Sequence, residues 1–474
     1  MSDDPYHLTI RPGSRIEMRV GEVFLIREHV KVPVGALSQG ARTALQCLLE
    51  NGGTRAELAS LAISVGGYAV IPELYLLLAQ LGRLRLLCLS LITDGCRQAT
   101  VVPLGTGTTS DTGPVDLGAT FKLSRFCSLR AEGSALVAET PLSAYKVVIH
   151  DPRILTVIQS LISAADIPGL SQRTGVPEEH LRLLIALLGQ AGIVGPADAP
   201  GSGEDGGPLR QWEFHDLYFH SRSRVGRHSN AYGGTYPYDS KEVPPPPAVK
   251  IGTSGRAVIE LPKVDMAALE RNDKPFAKVV ADRRSNRKHH ETAFISKAQL
   301  SEFLFRTCRV IQVFPPRPFE LCSKPYPGGG SVYELEVYPL IDRCDGIDPG
   351  LYHYQGETHA LGRVKDLTPE VRTLLDLAYA TIAGESRPQI LLLITARFGR
   401  ISWKYRSVTY ALILKHVGIL YHNFYLAAAA MGLAPCALGG GDSDLFAKAT
   451  GLDYFEEGAV GEFIIGTPQE GAKE

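Results

Sequence analysis

The sequence predicts an α+β protein in which two winged-helix-like repeats precede a layered domain of strands and helices. Three observations predict it. Residues 41–49 echo 153–161, so the first 200 residues read as one pattern given twice. A stretch rich in Gly, Pro and Ser at 196–208 then separates that half from the rest. Beyond it, runs alternating with period two interleave with helical runs, as in an α+β layer fold.

The repeat extends past its first match. Leu58 parallels Leu170, and 77–82 parallels 184–189 at a slightly shorter spacing, which fits an insertion near 65–70. Each copy reads as strand signals, three short amphipathic helices and a strand-like tail. The third helices begin near Pro72 and Pro177, residues suited to a first helical turn. The modules are placed at 1–110 and 111–196. The most apolar stretch, 74–92, contains Gln80, Arg83 and Arg85, so it reads as a buried helix followed by a strand rather than a membrane span.

Winged helices invite a nucleic-acid reading, and the residues argue against it. The first recognition helix, 72–86, is almost entirely apolar. The second opens on Glu178 and Glu179 and carries one arginine. Phosphate contacts need several Lys or Arg on one face, and the net charge is −1. Peptide binding or subunit packing fits better, since an exposed strand beside a helix can receive an extended peptide.

Residues 197–250 are expected to be linker and connector: a flexible part at 196–208, then the stiffer Pro-Pro-Pro-Pro run at 244–247. The second domain is placed at 251–474. Ser296 and Gln299 form a capping box before a helix with Leu300, Phe303 and Leu304 on its apolar face. Residues 333–341 alternate like a strand, 351–364 read as a hairpin around Gln355-Gly356, and 388–396 as a strand buried on both faces. A long helix over 408–431 stops at Gly432, a helix follows at 442–450, and 462–466 is a final short strand.

Hydrophobic content of 45% is that of an ordinary globular protein. The eight cysteines form no Cys-x-x-Cys pair, so no metal site is expected from them. His215, Asp216 and His220 have a spacing better explained by capping or core hydrogen bonds. The N-terminus lacks the pattern of an export signal, so a cytoplasmic protein with reduced thiols and no membrane association is expected.

Chemistry concentrates in a few segments. Residues 281–287, Ala-Asp-Arg-Arg-Ser-Asn-Arg, set Arg283, Arg284 and Arg287 around the Ser285 hydroxyl. Guanidiniums bind phosphate and carbonyl oxygens bidentately. Gly328, Gly329, Gly330 and Ser331 form a turn running into a strand, and a glycine turn lets backbone N–H groups approach an anion. Gly439 and Gly440 begin a further glycine cluster before Asp442. Together they suggest a phosphorylated cofactor.

The order of these motifs resembles the FMN-dependent nitroreductase family, whose opening signature Arg-(Arg/His)-Ser-x-(Arg/Lys) is matched by Arg283, Arg284, Ser285 and Arg287. Within it the chain is similar to SagB-type dehydrogenases, the azoline oxidases of thiazole- and oxazole-modified peptide pathways. Further segments carry that resemblance: the run from Trp212, Gly-Leu-Tyr-His-Tyr from Gly350, Lys404-Tyr405-Arg406, and 418–441. It covers roughly 210–468. It implies a nitroreductase-like FMN domain, with a mixed sheet flanked by helices, behind the two repeats.

The resemblance places Arg283 and Ser285 on the FMN phosphate and ribityl chain, Arg287 near the pyrimidine edge, and the backbone of Gly439 and Gly440 against the isoalloxazine ring. It makes Lys404 and Tyr405 the catalytic pair, because azoline oxidation removes a carbon-bound proton and a hydride. The chain departs from the family at Pro327-Gly328, where Pro-Ser is usual, and at 407–410, where an arginine usually flanks the second tyrosine. The first departure removes a hydroxyl, leaving backbone contacts. The implied assembly is a homodimer acting on an azoline-containing peptide, with a cyclodehydratase as a further partner. Two other readings stay open: a general NAD(P)H-dependent nitro- or quinone reductase, and a non-catalytic peptide-binding scaffold.

Overall fold

A computed structural model describes residues 5–19, 22–27, 30–105, 115–197, 203–250 and 257–469. The chain forms two compact units, 1–230 and 231–474.

The first unit contains both repeats. In the first, a three-stranded sheet (Ser14–Arg19, Glu22–Arg27, Val30–Ala36) precedes helices Gln39–Glu50, Arg55–Gly66 and Ile71–Arg83. Thr54 caps the middle helix reciprocally with Glu57: the Thr54 N–H donates to Glu57 Oε2 at 2.7 Å, and the Glu57 N–H to Thr54 Oγ1 at 3.2 Å. Leu74, Leu77, Leu78 and Leu81 then bury one face of the third helix. The second repeat supplies Arg153–Ser160, Ile167–Thr174 and Glu178–Gln190. Asp166 caps its middle helix, which stops at Gly175 in the left-handed region.

The repeats are not separate beads. One antiparallel sheet runs His7–Ile10, Leu87–Thr93, Cys96–Pro103, Tyr145–Ile149, Ala135–Glu139, Ser128–Glu132, and the pairing of Val101 with Val147 joins the copies at its centre.

The expected linker and connector carries structure. Of the flexible part, 198–202 lie outside the described residues. The helix Phe214–Arg222 is tied into the first unit, where the buried Glu139 carboxylate accepts from Tyr218 at 2.6 Å and from Arg222 at 2.9 Å. The strap 231–250 belongs to the second unit.

The second unit is built on a seven-stranded sheet in the order Val258–Glu260, Ala360–Lys365, Gly350–Gln355, Leu335–Ile341, Ile390–Arg397, Glu457–Gly466, Ala434–Leu438. Every pairing in it is antiparallel, where a mixed sheet was expected. The interior strand Ile390–Arg397 is buried throughout. Helices on both faces cause that burial, so its unbroken apolar run carries no information about strand direction. One face packs on Lys297–Cys308 and the long helix Thr409–Met431, through Phe303, Phe424 and Phe463. The other packs on Pro369–Thr381 and Ser443–Thr450, through Leu374, Leu391 and Phe446. The last strand is longer than expected, starting at Glu457. Two glycines interrupt its apolar character: Gly458 packs tightly under the Phe398 ring, and at Gly461 a Cβ would overlap Tyr421 and Val417.

Candidate active site

Two groups of residues meet different stretches of the long helix Thr409–Met431. The first is the arginine–serine motif. The Asn286 N–H donates to Pro435 O at 2.7 Å, which fastens the motif to the edge strand Ala434–Leu438. Ser285 Oγ lies 2.8 Å from the Tyr425 hydroxyl, which accepts from the Ala437 N–H at 2.8 Å. The Arg283 guanidinium sits over the Tyr425 ring at 5.5 Å. Arg287 lies by Cys436, whose thiol burial pushes up while the Arg287 charge opposes the rise. Arg283, Arg284, Ser285 and Arg287 are exposed, and among the described residues neither Arg283 nor Arg287 has a carboxylate at salt-bridge distance. Guanidiniums at Arg283 and Arg287 with no carboxylate partner among the described residues, beside the Ser285 hydroxyl, fit a phosphorylated anion.

The second group surrounds the glycine turn. Lys404 Nζ donates to Gly330 O at 3.2 Å, and a Cβ at Gly330 would overlap both Lys404 Nζ and the Tyr405 hydroxyl. The turn is strained: Gly330, Ser331 and Tyr333 have φ of 61°, 56° and 47°. It offers less to an anion than its composition suggests. The Gly329 N–H donates to His416 Nε2 at 2.8 Å and the Ser331 N–H to Gly328 O at 3.2 Å, while the Tyr333 ring crowds Gly328. Its glycines admit neighbouring side chains closely. Gly439 and Gly440 differ, being exposed, with no atom within 4 Å of a Cβ placed at Gly439.

Lys404 and Tyr405 are held from several sides. They follow the short helix Phe398–Ser402, and Tyr405–Arg406 pairs with Gly233–Gly234 of the strap. Lys404 O accepts from the Thr235 and Tyr236 N–H groups at 3.0 and 3.2 Å, and Trp403 Nε1 donates to Val243 O at 2.8 Å. Arg400 is fully buried and donates to Val332 O and Pro246 O, both at 2.9 Å, and to Glu320 O. Burial lowers its pKa to about 10. One guanidinium thus ties the glycine turn and the Pro-rich strap to the helix preceding the pair.

Behind the turn, His416 Nδ1 lies 2.7 Å from Glu334 Oε1, and neither residue had a visible signal in the sequence: one is a single acid before a strand, the other a single histidine in an apolar helix. Tyr425 and the strap were equally silent. Among the described residues no group of three or more His, Cys, Asp or Glu could hold a metal; His215 and Asp216 are an exposed pair at 3.6 Å.

Three family patterns cover most of the chain in sequence. Residues 9–110 match the ThcOx helix-turn-helix domain, 121–229 match the cyanobactin oxidase ThcOx, and 280–467 match the nitroreductase family. The order of these three matches along one chain is similar to that of cyanobactin oxidases, with a nitroreductase domain following two N-terminal modules. The cyanobactin oxidase and nitroreductase matches mark the protein as an oxidoreductase, and the nitroreductase match implies a flavin. A nitroreductase-named protein of Methanocaldococcus jannaschii is 28% identical over 38% of this chain and 83% of its own length. The trifolitoxin-processing protein TfxB of Rhizobium leguminosarum bv. trifolii is 27% identical over 31% of this chain and 40% of its own. The microcin B17-processing protein McbC of Escherichia coli is 28% identical over 27% and 49%. The chain thus spans less than half the length of these two peptide-processing relatives.

Proposed function

We propose that this chain is an FMN-dependent dehydrogenase that oxidises thiazoline or oxazoline rings of a ribosomally made peptide to thiazoles or oxazoles. The packing of Lys404 and Tyr405 against the Gly330 turn carries the reading, because it sets two proton-handling side chains on one fixed backbone feature. The cyanobactin oxidase match and the two peptide-processing relatives support the substrate class.

Arg283 and Ser285 hold the cofactor phosphate and ribityl chain, with Arg284 adding positive charge. Arg287 would meet the pyrimidine edge, and the open backbone at Gly439 and Gly440 would meet the ring system. A bound flavin supplies the hydride acceptor. Lys404 and Tyr405 take the proton that leaves the azoline ring carbon, a weakly acidic position that needs a base held in place. Two protons and two electrons leave the ring in total. The N-terminal modules hold the peptide's leader segment, and a cyclodehydratase supplies the azoline.

Lys404→Ala and Tyr405→Phe should keep the flavin spectrum and the melting temperature while azole formation falls about 10²–10⁴-fold. Arg283→Ala with Ser285→Ala should instead release the flavin. The readout is loss of about 2 Da per ring on an azoline-bearing peptide, with flavin measured alongside. Near wild-type oxidation by both Lys404→Ala and Tyr405→Phe would sink the assignment and favour a general NAD(P)H-dependent reductase. A purified protein without flavin absorption would favour a peptide-binding scaffold.

A further inference from the structure

Behind the glycine turn lies a buried pair that the proposed chemistry does not use. His416, on the long helix, is 4% exposed, and Glu334, just before the strand Leu335–Ile341, is 0% exposed. His416 Nδ1 lies 2.7 Å from Glu334 Oε1, and His416 Nε2 lies 2.8 Å from the Gly329 amide nitrogen.

The geometry dictates the proton position. A backbone N–H can only donate, so His416 Nε2 accepts and carries no proton. The imidazole proton is then on Nδ1, where the Glu334 carboxylate accepts it. The ring is a rigid two-ended bridge from a buried carboxylate to the Gly329 amide. The next residue, Gly330, presents the carbonyl that receives Lys404 Nζ at 3.2 Å.

The turn needs such a support. Three of its residues between Gly330 and Tyr333 have positive φ, two of them not glycine, and such conformations persist only where the surroundings over-determine them. Arg400 grips the far side at Val332 O, and the Tyr333 hydroxyl donates to Tyr326 O at 2.8 Å. His416 is the support on the near side, adjoining the carbonyl that meets Lys404. Among the described residues Glu334 Oε2 is buried with no hydrogen-bond partner, which leaves the His416 contact at Oε1 as the side-chain hydrogen bond of the carboxylate.

We infer that His416 and Glu334 are positioning residues for the reaction: together they hold the Gly329–Gly330 turn so that its carbonyl aims the Lys404 amine. The inference rests on the proposed role of Lys404. A misplaced reacting group costs up to about 10²-fold in rate without weakening substrate binding elsewhere.

The test compares His416→Phe, His416→Gln and His416→Asn, with Lys404→Ala alongside, by flavin content, melting temperature, kcat and KM on an azoline-bearing peptide. Phenylalanine fills the space with no acceptor. Glutamine returns an amide oxygen near the Nε2 position and can accept from the Gly329 N–H. Asparagine reaches only the Nδ1 position. His416→Phe should keep its flavin and lose kcat about 10- to 100-fold at nearly unchanged KM. His416→Gln should recover most of that loss and His416→Asn little. Wild-type kcat in His416→Phe, with Lys404→Ala inactive, overturns this inference alone. So do equal rates for glutamine and asparagine, which would mean that side-chain volume and not the acceptor matters. An active Lys404→Ala overturns the catalytic reading beneath it.

Discussion

The chemistry of single residues here is set by burial as much as by identity. Glu462, on the strand Glu457–Gly466, lies under the glycine loop: a Cβ at Gly441 would come within 3.0 Å of its carboxyl oxygen. Burial, and then the Asp442 carboxylate, raise the Glu462 pKa from 4.5 to about 7. The fold therefore favours the protonated form. Stability is full below the unfolded value and declines as pH rises through about 7, by on the order of 3 kcal/mol. Glu462→Gln keeps the shape and removes the titration. Its melting temperature should match wild type at about pH 5 and exceed it at about pH 8. Parallel melting profiles for the two proteins would mean that Glu462 is not a source of the pH dependence.

At the scale of an element, the glycine turn 328–331 is the part on which the site depends most. Only glycine suits position 330, where a positive φ coincides with contact to Lys404 and Tyr405. The atoms that a Cβ would meet are the far ends of two side chains, so the fold can yield by moving them. Gly330→Ala should thus cost about 1–2 kcal/mol of stability and displace the pair. The expected result is a folded, flavin-binding protein with azole formation reduced at least about tenfold. Full activity in Gly330→Ala would mean that the turn and the pair are not coupled. The strap 231–250 has a complementary part: its Gly233–Gly234 segment pairs with Tyr405–Arg406 and fixes the pair's backbone.

For the molecule as a whole, the second unit leaves apolar surface uncovered. Tyr410 and Leu414 of the long helix are 47% and 42% exposed, and Phe276, on the neighbouring helix Phe276–Asp282, is 73% exposed. Exposed apolar side chains on the long helix and its neighbour are candidates for association. The arginine motif and the glycine turn also meet the long helix at Tyr425 and His416, roughly 14 Å apart along its axis. A homodimer formed through the second unit would cover that surface. Light scattering should return about twice 51.4 kDa for flavin-loaded protein. A flavin-loaded monomer would contradict it. No helix among the described residues is long and apolar enough to cross a membrane.

Local rules were enough for much of this chain. The Ser296 capping box, the stop at Gly432 and the three-helix order of each repeat were legible because each depends on residues within a turn or two of one another. The apolar run at 388–396 announced a buried strand for the same reason. The arginine–serine motif and the Lys404-Tyr405 pair were visible as residue types in order. What brings them to the long helix was not. Strand direction, the fusion of the repeats into one sheet, and the folding of the 197–250 segment onto each unit depend on pairings between distant residues. His416 and Glu334, 82 positions apart, acquire their meaning only when the long helix packs against the start of a strand. Periodicity reports which face of an element is apolar, but it carries no record of which polar group on another element that face will meet.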